Sequence, residues 1–399
     1  MAFNIRKQTF WIMSLLLFLL VGCGSVKSKL KKADKHFKNG EYAVAGKLYK
    51  SAYSRISYKK RKLRGRTAFQ QGECYRHINY YRAEQVYKNA VRNKYSDSIV
   101  FLRLAQAQHK NGKYKSAIKN YKIFLTYKPN DTIATNGLKG VLFADSLFQN
   151  VTRYQIKKMK KFKASRSTTF SPSFTSSQAD ALTFTSNRKL NKKDKKRKKN
   201  KVSGVPNNHI FILKKNSQGK WEKPEPIEGE ILSQNDEGIT SFTANGRSMY
   251  FTRSMTEGTK GKGTVILVSE RSGGDWSTPK QITLFKDSTI SVAHPAISPD
   301  GNTLYFVSDA PNGYGGMDIW KTEKNDTGEW SFIENLGAKV NTAEDELFPT
   351  IRENGTLYFS SNGHAGLGGL DLFEAVPTDT VKEKIAWKVK NMGVPMNSS

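Results

Sequence analysis

Residues 30 to 150 repeat at an interval of 34, and a period of that length builds stacked helix pairs. Ala33, Phe37, Gly40, Tyr42, Ala45, Tyr49 and Ala52 recur as Ala105, His109, Gly112, Tyr114, Ala117, Tyr121 and Phe124, and Pro129 closes the second set. Gly72, Tyr75, Tyr81, Ala83, Tyr87 and Ala90 form a copy between them, with a first helix one residue shorter; Ala83 to Ala117 is 34 residues. Small residues allow two helices to approach, aromatics fill the space between pairs, and Gly40 and Gly112 take the turns. All of these are read as packing residues.

The spacing resembles that of tetratricopeptide repeats, so three helical hairpins are expected over residues 30–150. In that family the stacked hairpins form a concave surface that holds peptides or partner proteins without chemistry. Lys59 to Lys62, Arg64 and Arg66 are clustered in this region. They mark either an acidic partner or a solvated face.

After a stretch without apolar period at 151–169, read as a basic linker, the texture becomes short alternating strands. Four copies of a hairpin follow, and their second aromatics are Phe184, Phe251, Phe306 and Phe359, at intervals of 67, 55 and 53. Polar turns such as Pro299-Asp300-Gly301 and Glu353-Asn354-Gly355 join the strands. Two copies then carry a glycine-rich loop ending in Asp318 or Asp371, and each copy has a later tryptophan: Trp221, Trp276, Trp330 and Trp387. Four strands per copy at about 50 residues is the arithmetic of a β-propeller.

The segments Ser298–Asp309 and Gly315–Trp320 resemble the Asp-containing repeats of TolB-like periplasmic propellers. The fold expected is therefore a helical tetratricopeptide solenoid followed by a TolB-like propeller of four recognisable blades at 170–399. Asp300, Asp318 and Asp371 are read as turn residues that accept backbone N–H groups rather than as metal ligands. Residues 188–201 hold ten basic residues and one acid. This insertion is expected to be a disordered loop, solvated or bound to anionic headgroups or wall polymer. Asn335 to Thr342 is echoed by Asn391 to Ser398 at the end of the chain, so a further blade is expected, with the sequence a fragment or the ring completed by a partner.

With 66 Lys and Arg against 34 Asp and Glu the chain is strongly basic, which invites a nucleic-acid reading. The N-terminus argues against it. Arg6 and Lys7 precede an apolar run from Phe10 to Val21, too short for a comfortable spanning helix and read as an export signal over residues 1–22. Leu20-Val21-Gly22-Cys23 resembles the lipobox of bacterial lipoproteins. That resemblance implies cleavage before Cys23, acylation of its thiol and a lipidated tether at 23–29. Cys74 then remains as the other cysteine, so no intramolecular disulfide is expected, and it is read as a small core residue.

The order of lipobox, helical repeats and propeller resembles a group of outer-membrane lipoproteins of Bacteroidetes-type bacteria. Members commonly continue into an OmpA-like domain that grips peptidoglycan, and some are linked to type IX secretion. The resemblance implies a periplasm-facing, non-catalytic scaffold with envelope proteins as partners; peptidoglycan would be reached only through a domain this sequence lacks. The rival class is a propeller-based hydrolase or glycan-binding module. His36, His77, His109, His209, His294 and His364 show no ligand spacing, and nucleophile-elbow, zincin and phosphate-loop motifs are absent. No cofactor, metal or nucleic acid is therefore expected, and His294 and His364, in the propeller, are the histidines worth testing.

Overall fold

The computed structural model describes residues 25–398 apart from 165–166, 192–196, 198, 228, 256–262, 273 and 382–383. The lipobox with Cys23 and the middle of the basic insertion lie outside the described residues. Among the described residues seven tetratricopeptide-like helices come first: α1 (Val26–Lys38), α2 (Tyr42–Tyr53), α3 (Arg61–Arg76), α4 (Tyr80–Arg92), α5 (Ile99–Lys110), α6 (Tyr114–Tyr127) and α7 (Thr132–Gln149). The first six are the three hairpins of the 34-residue period. The seventh adds to them, begun by Asp131, whose side chain accepts the Ala134 N–H.

Two compact units emerge, residues 1–104 with 201–204 and residues 105–200 with 205–399. In the first, Ala33, Ala45, Tyr49 and Cys74 form a buried core with Leu30, Phe37, Tyr42 and Leu48 against it. Burial there pushes the Cys74 thiol up to about 12, so it is an inert filler rather than a reactive thiolate. Gly40 turns the first hairpin at φ 71°. Helix α2 lacks a side-chain cap. Its Ala43 N–H instead donates to the carbonyls of Lys201 (3.1 Å) and Val202 (3.0 Å), and Lys201 pairs with Glu41 at 3.0 Å.

The second unit contains four antiparallel sheets, each a propeller blade with strands in sequence order. Blade one is β1 (Thr169–Phe174), β2 (Ala181–Ser186), β3 (His209–Lys214) and β4 (Glu225–Pro226). Blade two is β5 (Glu237–Phe242), β6 (Ser248–Ser254), β7 (Thr264–Ser272) and β8 (Asp275–Trp276), with β9 (Lys280–Gln281) also on β7. Blade three is β10 (Val292–Ile297), β11 (Thr303–Ser308), β12 (Asp318–Lys324) and β13 (Trp330–Asn335). Blade four is β14 (Glu346–Ile351), β15 (Leu357–Ser361), β16 (Asp371–Val381) and β17 (Lys384–Asn391).

Alternating apolar positions of neighbouring blades interlock. Ile210 and Ile227 meet Phe242, Met249 and Phe251; Tyr250 and Ile266 meet Leu304, Phe306 and Trp320; Tyr305, Val307 and Ile319 meet Leu357, Phe359 and Phe373. Blade one's other face, with Phe184, Phe211 and Leu213, is covered by Met159, Phe162, Leu190 and Trp221. Two of those covering residues belong to the 151–169 segment. It is anchored at its start as well, where both the backbone N–H and the hydroxyl of Thr152 donate to the Val394 carbonyl after blade four.

Each first strand carries a bulge: the register shifts between Phe170 and Ser173, Gly238 and Thr240, Ala293 and Ala296, and Leu347 and Thr350. Within each bulge one residue has left-handed backbone: Ser171, Ile239, His294 and Phe348, with φ of 50°, 56°, 49° and 55°. In blades three and four, and from Phe170 beside Ser171, side chains in the bulges meet across blades. The His294 ring stacks on Phe348 with centroids 4.4 Å apart, and Phe170 lies edge-on to Phe348 at 6.3 Å.

The described part of the 188–201 insertion is tied down. Arg197 donates to the carbonyls of Asn187 (3.0 Å), Arg188 (2.6 Å) and Asn207 (2.8 Å), and the Asn200 amide donates to Asp236 at 3.0 Å. The Arg188 guanidinium lies 4.6 Å above the Phe184 ring.

Candidate functional site

The basic run in the first unit divides into two roles. Arg64 turns inward: it is buried, it donates to the Ile56 carbonyl at 2.6 Å, and its guanidinium lies 4.2 Å and 4.3 Å from the Tyr53 and Tyr58 ring centres. It ties the α2–α3 turn to α3. Its neighbours Lys59, Lys60, Arg61, Lys62 and Arg66 instead line a cavity of about 570 Å³.

The opposite wall is the α4–α5 turn. Gly65 lets this turn come close, since a Cβ there would stand 3.3 Å from the Asn93 carbonyl oxygen and the Tyr95 nitrogen. The Tyr95 ring stacks on Phe69 at 4.5 Å, and Lys94 has left-handed backbone at φ 53°. The remaining lining is Leu63, Gln70, Lys94, Tyr95 and Ser96. Six cations and no acid therefore surround the space, with an apolar patch from Leu63 and Tyr95. Arg66 is partly balanced by Asp34 at 3.9 Å, and Arg61 donates to the Arg92 carbonyl at 2.9 Å. Such a lining attracts an anionic group and gives it charge-assisted hydrogen bonds.

The clustering of cations from Lys59 to Arg66 was visible in the sequence. The contribution of Lys94 to Ser96 was not, because the two turns are brought together by the packing of α3 against α4. The signal that could have found it is positional: both segments sit at junctions between successive hairpins.

The propeller residues singled out from sequence are engaged separately. Asp300 accepts from the Ser298 hydroxyl and from the Asn302 N–H at 3.1 Å, and these bonds hold its carboxyl below the usual range. Asp318 is buried and accepts from the Tyr314 N–H and, at 2.9 Å, from the Asn335 amide; burial pushes its pKa up. Asp371 is its counterpart, accepting from the Gly368 N–H at 3.0 Å and pushed by burial to about 6. His294 accepts from the Phe348 N–H at 3.2 Å and burial takes it down to about 3; His364 donates to the Val340 carbonyl at 2.9 Å.

His36 bonds Glu41, His77 stacks on Tyr42 at 4.1 Å, and His209 faces Glu237 at 3.4 Å. His109 donates to the Gly366 carbonyl at 3.1 Å, which fastens α5 to the glycine-rich loop of blade four. Gly140 of α7 packs against the same loop, where an added Cβ would stand 2.7 Å from the Gly366 carbonyl oxygen. Among the described residues no three His, Cys, Asp or Glu side chains form a metal-holding group.

No family model and no curated protein matches the chain. Among solved structures, the first tetratricopeptide domain of Spaghetti bound to an HSP90 peptide is similar at 24% identity and a TM-score of 0.27, over 30% of this chain and 93% of that one. A Mycobacterium tuberculosis puromycin-hydrolyzing peptidase is similar at 10% identity and a TM-score of 0.31, over 55% of this chain and 28% of the peptidase. Prolyl oligopeptidase B from Galerina marginata is similar at 14% identity and a TM-score of 0.27, over 55% and 28%. The chain thus spans less than a third of the peptidases it matches.

Proposed function

We propose that the chain is a non-enzymatic scaffold of the bacterial cell envelope, held at the periplasmic side of the outer membrane by acylated Cys23 and binding partner proteins through its helical repeats and propeller. The observation that carries the reading is the cavity walled by Lys59 to Lys62, Arg66 and Lys94. It offers a partner six positive charges together with apolar contact from Leu63 and Tyr95, a combination that suits an acidic peptide segment better than a free inorganic anion. The propeller supports the reading because Asp300, Asp318 and Asp371 each accept hydrogen bonds from the backbone of their own turns and loops. Envelope organisation or type IX secretion is the setting that the sequence resemblance implies.

The test is recovery of partners on the full-length protein from detergent-solubilised envelopes, beside a Lys60→Glu/Lys62→Glu/Lys94→Glu variant. Acidic envelope proteins retained by the parent and lost by the variant are the expected result. An unchanged partner set would remove the cavity from the reading, and an unmodified Cys23 in the mass spectrum would remove the anchor.

A further inference from the structure

The segment joining the helices to blade one is held at both ends and open between them. Thr152 is fixed to the Val394 carbonyl, and Met159 and Phe162 are packed under Phe184 and Leu213. Residues 153–158 have no regular secondary structure and are all exposed. In an extended chain of that length they cover roughly 20 Å.

Apart from Gln155, the exposed side chains are apolar or basic. Val151, Tyr154 and Ile156 are 61%, 45% and 63% exposed, and Phe148 at the end of α7 is 43% exposed. Arg153, Lys157, Lys158, Lys160, Lys161 and Lys163 are exposed among them. No acidic residue occurs from Asn150 to Lys163. An ordinary solvated linker has no use for three exposed large apolar residues in six positions, and an acidic protein partner would not need them beside every cation.

We infer that the strap 151–163 is a membrane-surface contact, with Val151, Tyr154 and Ile156 entering the headgroup boundary of an anionic bilayer and the flanking lysines meeting lipid phosphates. Apolar side chains beside a polybasic run are the composition that binds such a surface, each part too weak alone. Fixing the strap at Thr152 and Phe162 means that little further ordering is required when it lands. The contact goes beyond an N-terminal anchor and needs no lipid on Cys23.

The experiment is segment-resolved hydrogen exchange of the full-length protein with vesicles of phosphatidylcholine alone or with phosphatidylglycerol, combined with flotation. Backbone amides of 153–161 are expected to exchange about tenfold more slowly on the anionic vesicles than on the neutral ones. Val151→Ser/Ile156→Ser and Lys157→Glu/Lys158→Glu should each abolish that difference, while exchange in blades two to four stays the same, which reports an intact fold. Protein that floats with either vesicle while the strap exchanges equally in both would overturn the inference and leave the anchor reading standing. Protection of the strap that survives both variants would overturn it as well.

Discussion

The Tyr87 ring occupies the space where a side chain at position 72 would begin: a Cβ on Gly72 would overlap the ring edge. The ring is pinned there, because the Tyr87 hydroxyl donates to Glu73 at 2.7 Å and Tyr87 is buried. Gly72→Ala gains about 1 kcal/mol of helix propensity in α3. Against that stands an overpacking cost of about 1–3 kcal/mol in a core that cannot give way. The expected net is a loss of up to about 2 kcal/mol from the helical unit, read by denaturant unfolding followed by circular dichroism at helical wavelengths. A stabilised variant would show that the hairpin is looser than the ring position implies.

Arg64 and Lys62 are two residues apart in the same basic run and should respond in opposite ways. Arg64→Ala leaves the Ile56 carbonyl without its donor and removes the guanidinium from between Tyr53 and Tyr58, for a loss of about 2–4 kcal/mol. Arg64→Lys restores charge but not the planar stack, and should recover only part. Lys62→Ala should change stability by less than about 0.5 kcal/mol while weakening acidic-partner binding. Thermal unfolding of the three variants beside a salt-dependent binding assay separates the roles.

His109 gives the second unit an acid sensitivity that can be isolated. It is buried, donates to Gly366, and burial takes its pKa down to about 4 from 6.5. Below pH 6.5 the unfolded chain takes up a proton that the folded one refuses, so stability falls as pH drops from 6.5 toward 4. The loss approaches about 3 kcal/mol at its limit. Asp371, pushed to about 6, works the other way, since its raised pKa favours the folded state as pH falls through that value. The difference between the parent and His109→Gln therefore carries the information: the variant should lose the His109 contribution, so its stability relative to the parent should rise as pH falls from 6.5 to 4. Parallel curves would mean that His109 is solvated.

The two repeats were legible because each obeys a fixed spacing. Small residues at Ala33, Ala45, Ala105 and Ala117 and aromatics at Phe184, Phe251, Phe306 and Phe359 are all buried, as their periodicity requires. The inward turn of Arg64 was hidden, since an arginine that donates to its own turn has the same letter as one in solvent. The strap has the look of a linker in the sequence for a related reason. Its anchoring through Thr152 and Phe162 depends on blades four and one, whose residues are far away in sequence. Helix α7 lies past the last repeat match at Pro129, and its Gly137 and Gly140 interrupt the apolar pattern that would have announced it. Both glycines answer to close approach, Gly137 to the Tyr121 ring and Gly140 to the Gly366 backbone.

Ile239 carries the strain of the bulges in its clearest form. A β-branched residue at φ 56° is disfavoured by about 1–2 kcal/mol. What holds it there is Thr185 of the preceding blade, whose hydroxyl accepts the Ile239 N–H at 2.8 Å and whose side chain abuts Gly238. In the next blade Thr252 does the same for His294 at 2.9 Å. Replacing Ile239 with Gly removes the strain, offset by about 0.5–1 kcal/mol of added unfolded-state entropy and by the lost apolar contact of a half-buried side chain. The expected result is a change within about 1 kcal/mol of zero. Thr185→Val keeps the shape of the side chain but leaves a backbone N–H without a partner, and should cost about 1–3 kcal/mol. Unfolding of the two variants decides whether the bulge is imposed by its own residue or by the blade before it. Large destabilisation by Ile239→Gly with a silent Thr185→Val would place the control in the isoleucine side chain instead.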